Sequence, residues 1–144
     1  MTLAVCTDLI TAKGTKISIG SANLGGSPTY TEIGMIEQFG EFGPEASVGS
    51  FTPVGTGIAG KTMGSTDNGE LTLTIAKTTT DTGLVELIAA QKSDDPLAYK
   101  IVLSDDTEYT FNGLCRSCKV NVGSGDDVVK INAAIAITGA ITEA

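Results

Sequence analysis

The sequence predicts a mainly β protein: an antiparallel β-sandwich or barrel with one flanking α-helix. Three observations carry that expectation. Glycine is abundant, at 18 of 144 residues, and threonine is plentiful, a mixture that suits strands joined by tight turns. Residues 70–77 (ELTLTIAK) and 128–138 alternate apolar and polar side chains, the period of a half-buried strand. Only residues 82–91 place apolar side chains at helical spacing. The length fits a single domain with no internal repeat.

In chain order, residues 1–14 are mixed, with Leu3, Val5, Leu9 and Ile10 making them more apolar than a typical loose terminus. Residues 15–20 form a short strand with Ile17 and Ile19 on one face, 21–28 a turn-rich loop, and 31–39 a second strand. Between Glu45 and Lys61 lie fifteen uncharged residues, ASVGSFTPVGTGIAG, too apolar for a solvated linker and too glycine-rich for a core strand. Two readings stay open for them. They form a loop folded back on the chain's own core, or an arm whose Phe51, Val54 and Ile58 are buried against another protein surface.

Asn68-Gly69 reads as a type I′ hairpin turn into strand 70–77, where Leu71, Leu73 and Ile75 face inward. Asp81 is a good N-cap for helix 82–91, with Leu84, Leu87 and Ile88 on one face. Residues 97–103 form a strand with Tyr99, Ile101 and Leu103 inward, and Asp105-Asp106 turns the chain into 107–111, with Tyr109 and Phe111 inward. After Asn112-Gly113 the apolar positions change parity (Leu114, Cys118, Val120, Val122), which predicts a bulge. Strand 128–138 then presents Val129, Ile131, Ala133, Ile135 and Ile137 to the core.

Several chemistries can be weighed against this frame. Gly55–Thr62, GTGIAGKT, matches the phosphate-binding pattern G-x-x-x-x-G-K-[ST], and its glycines also match G-x-G-x-x-G. Both motifs need a helix directly after the glycines, so that its first amides hold the phosphate. Here Met63-Gly64-Ser65-Thr66-Asp67-Asn68-Gly69 follows, and each interior glycine costs a helix ~1 kcal/mol. Ile101-Val102-Leu103-Ser104-Asp105 resembles the acidic partner motif, but a single helix cannot cover both faces of the parallel sheet it requires. Nucleotide binding and any other cofactor are therefore not expected. With no histidine, Ser-His-Asp and Cys-His nucleophile systems and most catalytic zinc sites are excluded, and no catalytic residue is assigned.

The acid pairs Asp94-Asp95, Asp105-Asp106 and Asp126-Asp127 flank turns and lack the spacing of a calcium loop, so no metal site is expected. Cys115 and Cys118 form a C-x-x-C with no second pair to complete a zinc site. On a regular strand, three steps of ~3.3 Å would put their Cα atoms ~10 Å apart on opposite faces, beyond the ~6.8 Å a disulfide allows. Free thiols are the expectation for both and for Cys6. The net charge of −8, with no cluster of Lys and Arg, argues against a nucleic-acid grip. No run approaches the 18 apolar residues of a membrane span.

The order of pieces resembles the major tail tube proteins of long-tailed bacteriophages, which share their fold with the tube protein of type VI secretion systems. The resemblance rests on the uncharged glycine-rich arm, then Lys61 and Asp67-Asn68-Gly69-Glu70-Leu71. A helix with D-x-x-L-x-x-L-I follows (Asp81, Leu84, Leu87, Ile88), then Tyr99-Lys100-Ile101-Val102-Leu103, Asp105-Asp106-Thr107 and Phe111-x-Gly113. Asp106 stands where such turns often have glycine, and the C-x-x-C is not a hallmark of the group.

The resemblance implies a tail-tube-like β domain over 1–144 with three contact segments: an N-terminal arm (1–14), a glycine-rich loop or hairpin arm (43–69) and a C-terminal tail (139–144). It implies self-assembly into homohexameric rings that stack into a tube within a virion tail, built in the host cytoplasm. Further partners would be tape-measure, tail terminator and distal tail proteins, with no membrane contact. Double-stranded DNA would pass through the lumen without specific binding. Subunit contacts would fall on Leu3, Val5, Val48, Phe51, Pro53, Val54, Ile58, Lys61, Met63 and Ile141. Six copies would carry −48, six times −8, a field screened by salt within ~8–10 Å. A secretion-system tube, a P-loop nucleotide-binding protein and a monomeric immunoglobulin-like module are the alternatives.

Overall fold

The computed structural model describes residues 9–20 and 29–144; Leu3, Val5, Cys6 and the loop expected at 21–28 lie outside the described residues. The elements are β1 Lys16–Gly20, β2 Tyr30–Ile33, β3 Ile36–Phe39, β4 Glu45–Phe51, β5 Gly60–Asp67, β6 Glu70–Ala76, α1 Thr82–Ser93, β7 Leu97–Val102, β8 Glu108–Asn121 and β9 Lys130–Glu143. Seven strands form one antiparallel sheet in the order β2-β1-β7-β8-β9-β6-β3, and β4 and β5 form a separate two-stranded sheet. The mainly β class with one helix is as the sequence predicts.

The segment expected as one strand over 31–39 is two, and the break shapes the molecule. β2 and β3 occupy opposite edges of the sheet, yet only Gly34 and Met35 separate them. Three residues reach at most ~11 Å, whereas the edges of a flat seven-stranded sheet stand ~29 Å apart. The sheet must therefore roll up until its edges meet. Met35 makes the corner in the left-handed region at φ 56°. Its carbonyl accepts from Ala76 N at 2.9 Å, which ties the corner to β6.

The helix locks the same corner. Asp81 Oδ1 caps α1 by accepting from Leu84 N at 3.2 Å, and it also accepts from Gly34 N at 3.4 Å. Gly83 lets the first turn lie directly on β2: a Cβ there would sit 2.3 Å from the Glu32 carbonyl oxygen. The helix buries Leu84, Leu87 and Ala90 and leaves Val85 to solvent. Inside the rolled sheet, Ile17, Ile19, Leu71, Leu73, Ile75, Ile101, Ile131 and Ile135 are all buried, and Tyr99 stacks on Phe111 at 5.8 Å.

Three further expectations are corrected. Asn68-Gly69 is not a hairpin turn: β5 and β6 belong to different sheets, and only Gly69 has positive φ, so the pair forms a corner at the base of the β4–β5 arm. The bulge expected beyond Gly113 is present between Cys115 and Ser117, and a second precedes it between Thr110 and Asn112. Phe111, Gly113 and Cys115 face inward and Leu114, between them, outward; Val120 and Val122 share the parity of Cys118 yet are exposed, because the β7–β8 pairing reaches only to Gly113 and leaves the rest of β8 uncovered on that side. Residues 139–144 are not a free tail; β9 continues to Glu143, pairing Tyr109 with Glu143, and Ile141 packs against the chain's own core.

Replacing Gly83 with alanine forces the helix away from β2. Gly83→Ala should lower stability by ~1–3 kcal/mol, the usual cost of overpacking, seen as an earlier urea midpoint with little change in the slope.

Candidate assembly interface

The chain between β3 and β6 cannot join the main sheet. β3 and β6 are hydrogen-bonded neighbours, with Phe39 opposite Leu73, so no gap exists between them for the intervening strands. β4 and β5 instead pair with each other and project as an arm, from Glu45↔Asp67 at the base to Phe51↔Gly60 near the tip.

The base is fixed to the body. Gly40 N donates to Thr72 O at 2.7 Å, Gly43 N to Asn68 O at 3.3 Å, and the Asn68 side-chain amide to Gly139 O. Gly69 N donates to Asp67 Oδ1 at 2.9 Å, and Gly69 O accepts from Ile137 N at 3.0 Å. Phe42 packs edge-on against Tyr109 with ring centroids 5.5 Å apart. The root of the arm is thus a continuation of the core.

Beyond the root the arm buries nothing. Every residue of β5 and all of β4 except Ala46 are exposed. Val48 is 61% exposed, Phe51 73%, Ile58 74%, Met63 76%, and Val54 at the tip is fully exposed. Val48 and Met63 are cross-strand partners on one face, whereas Phe51, three residues after Val48, points to the other. Apolar side chains therefore stand on both faces of the ribbon. Pro53 is half-buried in the tip, where its carbonyl accepts from Gly57 N at 2.8 Å, and Lys61 is exposed opposite Ser50. A two-stranded hairpin with nothing packed on it is marginal in water. The arm does not fold back on its own core, which sets aside the first of the two readings left open by composition.

The structure brings Val48, Phe51, Pro53, Val54, Ile58, Lys61 and Met63 together on this arm. Ile141 stands apart in β9 against the core, and Leu3 and Val5 lie outside the described residues. The phosphate-binding pattern falls on the arm tip and the first residues of β5; a strand, not a helix, follows its glycines. The exposed Val120 and Val122 at the far end of the β8–β9 pair are surface residues that sequence reasoning misses, because their alternation reads as a buried face.

Two of the paired aspartates, Asp105 and Asp127, serve turns. Asp105 accepts from Thr107 and Asp127 from Ser124 N and Oγ, both at 2.9 Å, and these hydrogen bonds hold each carboxyl below its ordinary range. Among the described residues no three Cys, Asp or Glu side chains converge as metal ligands, and no helix is long and apolar enough to cross a membrane.

No protein-family model matches the chain, and no curated protein matches it in sequence. Solved structures do match in shape over nearly the whole chain. A chain of the sheath/tube terminator structure of the extracellular contractile injection system PVC superposes with a TM-score of 0.74 at 12% identity, covering 97% of this chain and 99% of that one. A chain from the C6-symmetric tail of an empty gene transfer agent particle gives 0.69 at 14% identity, with 99% of each chain covered. The SPP1 tail tube gives 0.64 at 14% identity, covering 94% and 78%. The chain has the tail-tube fold. Within the tail-tube fold the rolled sheet and flanking helix are the body, and the β4–β5 arm carries five large apolar side chains, Val48, Phe51, Val54, Ile58 and Met63, with no cover among the described residues.

Because the arm side chains bury nothing within the chain, Phe51→Ser combined with Ile58→Ser should leave the unfolding midpoint of the dissociated chain unchanged to within ~0.5 kcal/mol. A larger loss in thermal or urea melts would mean that the arm packs on the body after all.

Proposed function

We propose that the protein is a non-enzymatic structural subunit that assembles into hexameric rings stacked as a phage tail tube, a conduit for double-stranded DNA. The observation that carries this reading is the projecting arm, with Val48, Phe51, Val54, Ile58 and Met63 exposed on a ribbon too thin to stand alone. The match to tube and tail assemblies, one of them C6-symmetric, supports it.

On this reading each arm lies against neighbouring subunits, with a sibling surface on each face. Burying an aliphatic or aromatic side chain contributes ~1.5–3 kcal/mol, so five such residues supply on the order of 10 kcal/mol before the cost of association. The neutral composition of the arm suits a contact that excludes water. The acidic surplus, repeated around a ring, would let DNA phosphates pass without adhering. Tape-measure protein inside the tube, and terminator and distal tail proteins at its ends, complete the set of partners. The place of action is the virion tail, assembled in the host cytoplasm.

A second reading, the tube of an injection system, is favoured by the higher score of the contractile injection system chain. The two differ in cargo: particles carrying a phage tail tube protect DNA from nuclease, and injection particles do not.

Negative-stain microscopy and sedimentation of the purified chain should reveal rings or tubes. Phe51→Asp with Ile58→Asp should leave far-UV circular dichroism unchanged and abolish those species. A wild-type chain that stays a lone particle under every condition, or a double variant that assembles as well as the wild type, contradicts the proposal.

A further inference from the structure

The bulge between Cys115 and Ser117 rearranges the C-x-x-C. On the partner strand Cys115 lies opposite Ile135 and Cys118 opposite Ala133, so three steps along β8 span two along β9. Arg116 is the extra residue; it turns outward and pairs with Glu70 Oε1 at 2.8 Å. Two strand steps are ~6.6 Å, inside the range of Cα separations that a disulfide bridges. Both thiols now face the same way, and their sulfurs stand 3.3 Å apart. The expectation of opposite faces ~10 Å apart, drawn from a regular strand, is corrected by that one inserted residue.

The two thiols differ. Cys115 is buried, and Cys118 is half-buried. Their mutual hydrogen bond lowers the Cys118 thiol, while the same bond, burial and the charge on Cys118 raise Cys115. A third group faces the pair. Tyr99 is fully buried, its hydroxyl has no hydrogen-bond partner, and burial together with the charge of the two sulfurs raises its phenol. An unpartnered buried hydroxyl beside two sulfurs is a donor on hand when negative charge passes from one sulfur to the other.

We propose that Cys115 and Cys118 are a redox-active dithiol that exchanges with small disulfides, Cys118 attacking and Cys115 resolving. The Cys118 thiolate forms a bond to one sulfur of a disulfide RSSR, whose S–S bond breaks and releases RS⁻, which takes up a proton. Capping Cys118 removes the charge and the hydrogen bond that kept the proton on Cys115. Cys115 then loses that proton, attacks Cys118 Sγ and displaces the second RS⁻, which is protonated in turn. Two electrons and two protons pass from the dithiol to RSSR, giving two RSH and a Cys115–Cys118 disulfide.

Trypsin cuts between the cysteines, after Arg116, which makes the test direct. The purified full-length chain is incubated with oxidised glutathione, quenched with acid and N-ethylmaleimide, unfolded and digested. The expected product is peptide 101–116 joined to 117–119 by a disulfide. Cys115→Ser should stop at glutathione on Cys118. Cys118→Ser should slow glutathione uptake at position 115 at least ~10-fold relative to Cys118 in Cys115→Ser. Recovery of both wild-type peptides separately, each carrying maleimide, overturns the proposal without recourse to either variant. A link from Cys118 to Cys6 or to a second chain in place of Cys115 overturns it as well.

Discussion

Two residues, Gly34 and Met35, join one edge of a seven-stranded sheet to the other. Chain length alone therefore obliges the sheet to roll, and most of the architecture follows from that constraint. Rolling encloses the alternating isoleucines and leucines of β1, β6, β7 and β9. It brings both edge strands to a single seam and removes the long open edges that would otherwise invite pairing with other chains. The seam is held from two sides, by the backbone of β6 at Ala76 and by the capped first turn of α1 at Asp81 and Gly83.

A closed body also explains why the arm exists as a separate object. β3 and β6 are paired neighbours, so the residues linking them have no place in the sheet and must leave it. The chain does this with two paired strands, which satisfy their backbone groups against each other. Their side chains find no partner. The surface that remains is uncharged from Ala46 to Gly60, apolar on both faces and rooted through Phe42 and the Asn68–Gly69 corner. On the proposed reading, rigid placement of this ribbon is what would let the root set the orientation of the next copy.

Much of this was legible in the sequence. The alternation of Leu71, Leu73, Ile75 and of Ile131, Ala133, Ile135, Ile137 placed two central strands, and Asp81 with Leu84 and Leu87 placed the helix. The arm could be located from its missing charges, but composition gave no means of telling an extended ribbon from a folded-back loop. What stayed hidden were events of a single residue. Met35 turns a strand into two through one left-handed backbone position, and the bulge expected beyond Gly113 falls at Arg116, between the two cysteines, where it moves Cys118 to the face of Cys115. Parity arguments assume regular strands, so a bulge inverts every inference beyond it. Val120 and Val122 are exposed for a different reason: the β7–β8 pairing reaches only to Gly113 and leaves that end of β8 uncovered.

The claim on which the assembly account rests is that the arm is bare in the single chain and covered in the assembly. Amide hydrogen exchange over Glu45–Phe51 and Gly60–Asp67, compared between dissociated chain and assembled material, tests it most directly. The account predicts rapid exchange in the dissociated chain and strong protection on assembly, with the amides of Glu70–Ala76 protected in both. Arm amides already protected in the lone chain, or left unprotected in the assembly, would contradict it.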